Sequence, residues 1–454
     1  MSTTETVSPL ELTDALVAEV HDAVAASSPD LIAALTSSLH AADLADLLQR
    51  LNPEERVAVI AALGTAFDPE TIAHLDEFVR EQVLEVLGPA ATGEVLAQLE
   101  TDDAVEILAD LDEAQQTEIL ASLPMPERAA IEQGLAFPEW SAGRLMQREV
   151  VAVPDYWTVG QAIDWLRAKP DLPDDFYDIF LIDPRYRVVG DVPLGRLLRA
   201  RRAVPMTEIK YKELRSFAAE TDQEEVARAF RRYALVSAPV VDADGRLLGV
   251  VTVDDVVDVI GEEAEDDILK LGGVSEDDTY IPALQTSMKR MPWLGVNLFT
   301  ALLGAFVIHQ FEGTIARLVS LATLMPLVAG MGGNAGTQAL TVTVRSLAAG
   351  ELSIAGTWRT VRKEFAVGLL NGGTFLVAGA ILALLWYGEP VLAAVFGAAL
   401  LLNLVVGAVL GTTIPLVLDR LGQDPAVASS VFLTPMTDAI GFLTFLGLAT
   451  LFLF

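Results

Sequence analysis

From residue 291 to the C-terminus the chain is a succession of apolar runs, and that feature constrains its fold more than any other. A bilayer core of ~30 Å contains no water for backbone N–H and C=O groups, so an apolar run of about 20 residues that crosses it must be helical. Five such runs are expected, at about 293–311, 315–341, 365–387, 391–417 and 427–453. An odd number of crossings puts the two ends of this region on opposite sides of the membrane. Lys289 and Arg290 precede the first run, Arg345, Arg359, Arg362 and Lys363 fall in 344–364, and Arg420 lies in the fourth connection. The connections near 312 and 388 carry no Lys or Arg, although Arg317 lies just inside the second run. The positive-inside rule therefore predicts a multi-pass protein of the inner membrane with its N-terminal part in the cytoplasm and Phe454 outside.

Hydrophobic residues make up 52% of the 454 and charged residues 20%, a combination that makes sense once the chain is divided. Residues 1–290 hold 56 acids and 24 Lys or Arg, whereas 291–454 hold 7 acids and 6 bases. The soluble part is thus strongly acidic. That argues against nucleic acid as a partner, since it requires a basic surface, and against docking on anionic lipid. It suits cations. Cysteine is absent and the four histidines, His21, His40, His74 and His309, are scattered, so thiolate, zinc and iron sites are not expected. Hard oxygen ligands remain, suited to magnesium or calcium. Solubility or salt adaptation is the plainer reading of the acidity. The opening MSTTETVSPLELTDAL has neither a basic region nor an apolar core, in keeping with a cytoplasmic start.

Residues 8–135 read as helices alone. Leu44, Leu47, Leu48 and Leu51 recur at helical spacing, then Asn52-Pro53-Glu54-Glu55 ends one helix and starts the next. Asp43–Leu48 is echoed 60 residues later by Asp103–Leu108, which predicts stacked helical pairs, an all-α helical-repeat N-domain over 1–135. Over 143–262 strand-like runs alternate with helical ones. Glu149–Val153 reads as a strand and Val159–Leu166 as a helix, while Phe180–Pro184 with Val188–Gly190 is matched by Pro239–Asp242 with Leu247–Val251. This repeat resembles tandem α/β CBS domains, at 136–203 and 204–262. An acidic connecting helix region, 254–288, then leads to the transmembrane domain, 289–454.

Three places carry chemistry. Met325–Gln338 places a proline, four glycines, Asn334, Thr337 and Gln338 inside the second run. Such residues at membrane depth serve either close helix packing or a polar pathway. Asp438 is the only acid after Asp424, and a carboxylate within a span marks function unless a neighbouring Thr satisfies it. In a two-fold dimer it would form a facing pair, suited to a divalent cation that keeps most of its water. Val253–Leu271 holds eight acids, of which Asp254, Asp258, Glu262 and Asp266 step by four along one face. Like charges at that spacing disfavour a helix, and a bound divalent cation would reverse that; a merely solvated face is the alternative. Asp222 with Glu224, and Asp102, Asp103 and Glu106, add weaker pairs.

Gly330–Gln338, Arg290-Met291-Pro292-Trp293-Leu294, and Asp424-Pro425-Ala426 with Thr437-Asp438 closely resemble MgtE magnesium channels. The resemblance spans nearly the whole chain and implies a magnesium-selective channel or transporter, a homodimer with its pore on the two-fold axis. It implies that Asp438 of both chains holds hydrated magnesium, with Gly332, Gly333, Asn334, Thr337, Gln338, Pro435 and Thr437 lining the pore. It further implies regulatory magnesium at Asp102, Glu106, Asp222, Glu224, Asp255, Asp258, Glu263, Asp266 and Asp267, closing the channel. Tyr233-Ala234-Leu235 stands where related proteins can carry an acid, so one regulatory site is expected to be altered. ATP at the CBS pair is left open, without a decisive adenine signature. Competing readings are a transporter of another divalent cation such as cobalt, and a membrane magnesium sensor that does not conduct. Enzyme chemistry is not expected, because no Walker A, nucleophile-elbow or zinc motif is present.

Overall fold

The 60-residue echo in the N-terminal sequence is an echo in helix capping. The computed structural model describes residues 12–170, 172–173, 176–274, 283–348 and 354–454. Helices α1 to α8 run Asp14–Ala25, Pro29–Thr36, Ala41–Arg50, Pro53–Leu63, Glu77–Leu96, Thr101–Ala109, Glu113–Ser122 and Met125–Leu135. The matching sequences lie in α3 and α6, and a capping box follows each: Asn52 with Glu55 opens α4, and Asp112 with Gln115 opens α7. Each box satisfies two backbone N–H groups that the helix start would leave unbonded. The predicted apolar stripes, Leu44, Leu47 and Leu48 in α3 and Val105, Ile107 and Leu108 in α6, are buried. Helix α5 is broken at Gly88, where φ is 73° and Pro89 follows, a pairing that suits glycine's left-handed freedom and proline's missing N–H.

Next come α9 (Ala142–Leu145), β1 (Ala152–Pro154), α10 (Val159–Ala168), β2 (Asp178–Ile182), β3 (Val188–Pro193), α11 (Leu194–Arg199) and α12 (Met206–Ile209). The second unit has β4 (Phe217–Ala218), α13 (Gln223–Tyr233), β5 (Ser237–Val241) and β6 (Leu247–Thr252). They form two sheets, β1-β2-β3 and β4-β5-β6, each with a parallel then an antiparallel pair. Both antiparallel pairs shift register at the same place, Leu181/Ile182 and Val240/Val241, so the sequence repeat extends to an irregularity. The cores do not follow the expected division at 203/204. Met206 packs in the first core with Val153, Ile179 and Leu181, while Ala142 and Met146 pack in the second with Phe230, Val240 and Val251. Phe180, Leu247 and Val250 join the two units, and the Ser237 hydroxyl donates to Asp178 Oδ2 across them at 2.7 Å.

Helix α14 runs Val253–Gly272; of the expected connecting region 254–288, residues 275–282 lie outside the described residues and 283–288 begin the next helix, and the boundary between two compact units, Met1–Glu262 and Glu263–Phe454, falls inside α14. Its first turns bury Val256 and Val259 in the second CBS core. The second unit contains α15 (Ala283–Gln310), α16 (Glu312–Arg317), α17 (Ser320–Ala348), α18 (Ile354–Tyr387), α19 (Pro390–Arg420) and α20 (Pro425–Leu453). Central α19 packs on α17, α18 and α20, and α15 lies against α20. By length and composition, four helical stretches among the described residues could cross a membrane: Ala283–Gln310, Thr357–Tyr387, Pro390–Arg420 and Val431–Leu453. The expected fifth, α17, is long enough at 29 residues, but its Gly, Asn, Thr and Gln lower its hydropathy. Its apolar residues Leu321, Leu324 and Val328 are buried in the bundle core instead. Arg317, expected inside the second run, lies in the separate short helix α16, before α17 begins.

Candidate functional site

In the membrane half the glycines of α17 permit close backbone approach. A Cβ on Gly332 would collide with Asn403 of α19, and one on Gly336 would lie 2.9 Å from Leu433 Cδ1 of α20. Across the gap, Cβ atoms on Gly407 and Gly411 would strike the Gly332 and Gly336 carbonyls. Gly332 is therefore a packing residue within the chain. Gly333 has room, with only Thr437 Oγ1 nearby at 3.8 Å. The segment remains α-helical through Pro326 and its glycines. Asn334, Thr337 and Gln338 are exposed and lie off the packed face, whereas Gly332 and Gly336 are buried.

On α20, Thr437 is fully buried, and its hydroxyl donates to the Leu433 and Thr434 carbonyls at 3.0 and 2.9 Å. Its proton serves its own helix, as threonines within helices commonly do. Pro435 and Asp438 are half-buried. Among the described residues no hydrogen bond or ion pair engages the Asp438 carboxylate, so the threonine next to it does not satisfy it. Asn403, which the sequence reading passed over, is fully buried; its Nδ2 donates to the Val328 carbonyl at 2.8 Å, and its Oδ1 has no partner. The missing signal was the lone amide in an apolar helix.

The acids of the first unit converge where α6 meets the start of α14. Asp102 is 7% exposed; its Oδ1 accepts from the Asp103 amide at 3.1 Å, and its Oδ2 has no partner. Burial, then the charges of Asp255, Asp103 and Glu100, hold its carboxyl well above the usual range. Burial and Asp255 push Asp103 up to about 7. Burial, Asp255 and Asp103 push Glu100 to about 7 as well. Asp255 is raised to about 6 by burial, against the Thr252 hydroxyl that donates to it at 2.6 Å. Asp258 is raised by burial, with His74 opposing and Glu106 assisting. Asp102 and Asp255 thus feel one another's charge, as do Glu106 and Asp258. Glu100 and Glu149 complete the group: Gln147 Nε2 donates to Glu100 at 3.0 Å, and the Thr101 hydroxyl to Glu149 at 2.7 Å. The sequence reading missed both, since nothing in their spacing ties them to α14.

Other predicted ligands have structural partners. Glu106 accepts from buried Arg80 at 3.1 Å, and Asp110 pairs with the same guanidinium. Asp222 caps α13 through the Glu224 amide, and Glu224 pairs with Arg228 at 3.1 Å. Ala234 takes the left-handed conformation that ends α13, with φ 50°. In the second unit Lys270 Nζ pairs with Asp266 and, at 2.9 Å, with Asp424, the N-cap of α20. Burial opposes the Lys270 charge, but these two carboxylates outweigh it and hold the ammonium above its usual range. Asp267 is raised by burial, then by Asp424, with Asp266 and Glu263 adding to it. Leu271 packs against a cluster of Leu340 and Val344 of α17 with Ala426 and Leu433 of α20, against which Leu410 and Ile414 of α19 also pack. Among the described residues no three acids or histidines are gathered closely enough to hold a metal ion.

Family profiles match three stretches: MgtE, a divalent cation transporter, over residues 325–448; the MgtE intracellular N domain over 39–140; and a CBS domain over 206–262. A protein of Bacillus subtilis (strain 168), called magnesium transporter MgtE, is 32% identical over 412 residues, 90% of this chain and 91% of the relative. One of the same name from Thermus thermophilus is 33% identical over 424 residues, 91% and 93% of the two chains. Among solved structures, the cytosolic domain of the Mg2+ channel MgtE in complex with ATP is similar, at 32% identity and a TM-score of 0.50. That likeness covers 54% of this chain and 99% of the other.

Proposed function

The chain belongs to the MgtE family of magnesium transporters, and from that premise we propose that it is a magnesium-selective channel closed by cytosolic magnesium. The observation that carries the reading is Asp438, an acidic side chain in a candidate membrane span with no partner among the described residues. A homodimer would bring two such carboxylates to its axis. Two carboxylates and retained water suit Mg2+, which sheds its hydration shell reluctantly. Asn334, Thr337 and Gln338, exposed on α17, supply hydrogen-bonding groups to that water, and Gly333 leaves it space. In this reading α17 is the fifth crossing, the N-terminal domains face the cytoplasm, and Phe454 lies outside the inner membrane.

Closure is assigned to the acidic junction. Its donors are hard oxygens, and the unpartnered Asp102 Oδ2 offers a lone pair to a cation. No three of these acids stand close enough to coordinate one ion directly among the described residues, so Asp102, Glu106, Asp255 and Asp258, with Glu100 and Asp103, would hold regulatory Mg2+ largely through its retained water; bound there, the ion would remove the repulsion between α6 and α14. Glu263, Asp266 and Asp267 would act further along the helix, where Leu271 sits on the ends of α17, α19 and α20. Asp222 and Glu224 would contribute as well, although each has a local partner, as Glu106 and Asp266 do. ATP at the CBS pair is a further proposal, supported by the similar cytosolic domain described with ATP. The test is flux in proteoliposomes. Passive, voltage-dependent Mg2+ entry that falls as Mg2+ on the cytosolic face rises is the expected result. Absence of flux leaves a sensor, and Co2+ entry in preference to Mg2+ leaves a transporter of another ion.

A further inference from the structure

We infer that the N-terminal end of α18 is a binding site for the phosphate headgroup of an anionic phospholipid. The inference rests on reading α18 as a membrane span, and on no step of magnesium conduction. Trp358, Arg359, Arg362 and Lys363 line a cleft of about 430 Å³. Three cations within five residues contrast with the near neutrality of residues 291–454 and with the acidity of the rest of the chain. The expectation that anionic lipid is avoided rests on the acidic half and does not extend to this basic stretch.

The helix spacing sets the site at the membrane edge. Trp358, Arg362, Phe365 and Leu369 follow at intervals of four, three and four, which puts them on one face. Trp358 is 66% exposed, and Phe365, Leu369 and Leu370 below it are exposed too. The packed stripe runs beside that face: Cβ atoms on Gly368 and Gly372 would lie 3.0–3.3 Å from Leu404, Val405, Ala408 and Leu401 of α19. At about 100° per residue Arg359 and Lys363 fall across the helix from that stripe and are exposed, while Trp358, Phe365 and Leu369 flank it and are exposed too. The exposed apolar side chains meet acyl chains, and the cations stand at the level of the headgroups.

The side chains match a phosphodiester. Among the described residues neither Arg359 nor Arg362 forms an ion pair, and Lys363 reaches only Glu364, at 3.9 Å. Guanidinium groups present a planar fork of donors that fits phosphate oxygens. An exposed tryptophan beside them suits the interface, where its ring lies among headgroups and its N–H finds an acceptor. A zwitterionic lipid carries its own ammonium to compete with these cations. An anionic one, such as phosphatidylglycerol, does not.

The experiment uses the full-length protein in a nonionic detergent. Phosphatidylglycerol and phosphatidylcholine with identical brominated chains are titrated, and tryptophan quenching is read. Trp358→Phe isolates the Trp358 component. The expected result is a midpoint for phosphatidylglycerol at least about tenfold below that for phosphatidylcholine. Each cation removed weakens anionic-lipid binding about fivefold at low salt. Combining Arg359→Gln, Arg362→Gln and Lys363→Gln therefore raises the phosphatidylglycerol midpoint roughly a hundredfold and leaves phosphatidylcholine unchanged. If that variant fails to fold, the pair Arg359→Lys and Arg362→Lys keeps the charge while losing the fork, and the same lipid preference with a weaker midpoint is expected. Equal midpoints for the two lipids overturn the inference, as does a neutralised variant that binds like the parent. Full reversal of quenching by millimolar inorganic phosphate assigns the site to a free anion instead. A Trp358 component that neither lipid quenches, and that responds to self-association, assigns the face to a second copy of the chain. All readouts are binding measurements, so this inference and the conduction reading fail separately.

Discussion

The junction of α6 with α14 and the last helix, α20, treat carboxylates in opposite ways. In the first, Glu100, Asp102, Asp103 and Asp255 are pressed together at one junction, and burial with mutual repulsion pushes three of them up to about 6 or 7. In the second, Asp438 is the only acid of its helix beyond the N-cap and has no like charge beside it in the sequence. A crowded group is poised to change state when a cation arrives, because binding offsets the repulsion among its carboxylates. An isolated carboxylate changes little and can hold and release a passing ion. The same residue type thus fits sensing in one setting and conduction in the other.

The largest effect that would break this comparison is at Asp438. Asp438→Asn keeps shape and removes charge. We expect magnesium flux in proteoliposomes to disappear while assembly, read by size-exclusion chromatography, is retained. Parental flux would move the conducting role off α20. A second test separates packing from pathway on α17. Gly332→Ala forces a methyl group into Asn403, and overpacking of this kind costs about 1–3 kcal/mol. Gly333→Ala meets only the Thr437 hydroxyl and should fold normally. Thermal melting of the two variants checks the order; a more stable Gly332→Ala would mean that Asn403 yields.

These contrasts also mark what the sequence could deliver. The helix pairs were legible because capping residues recur with the apolar stripe, Asn52 with Glu55 and then Asp112 with Gln115. The CBS repeat was legible because its strands alternate with turns. The exchange of Met206 and Met146 between the two cores was not, since an apolar side chain does not say which of two adjacent cores it fills. Asp438 stood out against an apolar background. Glu100 and Glu149 did not, because in an acidic chain an extra carboxylate carries no signal until the fold places it. Thr437 was expected in the pore and is buried, since one residue along a helix turns a side chain by about 100°.

A smaller effect is expected from the junction itself. Asp102→Asn, Asp255→Asn and Asp258→Asn together remove three of the charges that face one another between α6 and α14. The magnesium concentration that halves the current should rise by roughly 5–150-fold, the usual range of coupling between sites. Conduction at low magnesium should be unchanged. Asp266→Asn alone should shift the curve less, because Lys270 already neutralises that carboxylate. Single-channel recording across a magnesium titration ranks the two. A larger shift for Asp266→Asn would place the sensor at the far end of α14.

The smallest effect is a difference in melting temperature, and its sign follows from proton counting. Glu100 and Asp103 lie at about 7 and Asp255 at about 6 in the folded chain. In the unfolded chain such carboxyls return to about 4. Between about pH 4 and pH 7 the folded state therefore binds more protons than the unfolded state. Its stability from these groups is fully present at the acid end and is lost as pH rises through the folded values. Magnesium acts in the opposite direction. It needs the carboxylates ionised, so at about pH 5 it must displace protons, whereas near pH 7.5 the sites are open. At a hundredfold excess over its dissociation constant a ligand adds ~2.7 kcal/mol, and each kcal/mol is a few degrees for a domain of this size. Added magnesium should therefore raise the melting temperature by several degrees near pH 7.5 and by much less near pH 5. Glu100→Gln with Asp103→Asn should stabilise the metal-free protein near pH 7.5 and flatten the difference. An equal magnesium effect at both pH values would mean that the ions bind elsewhere and that the crowded junction is only a strained contact between the N-domain and the second CBS unit.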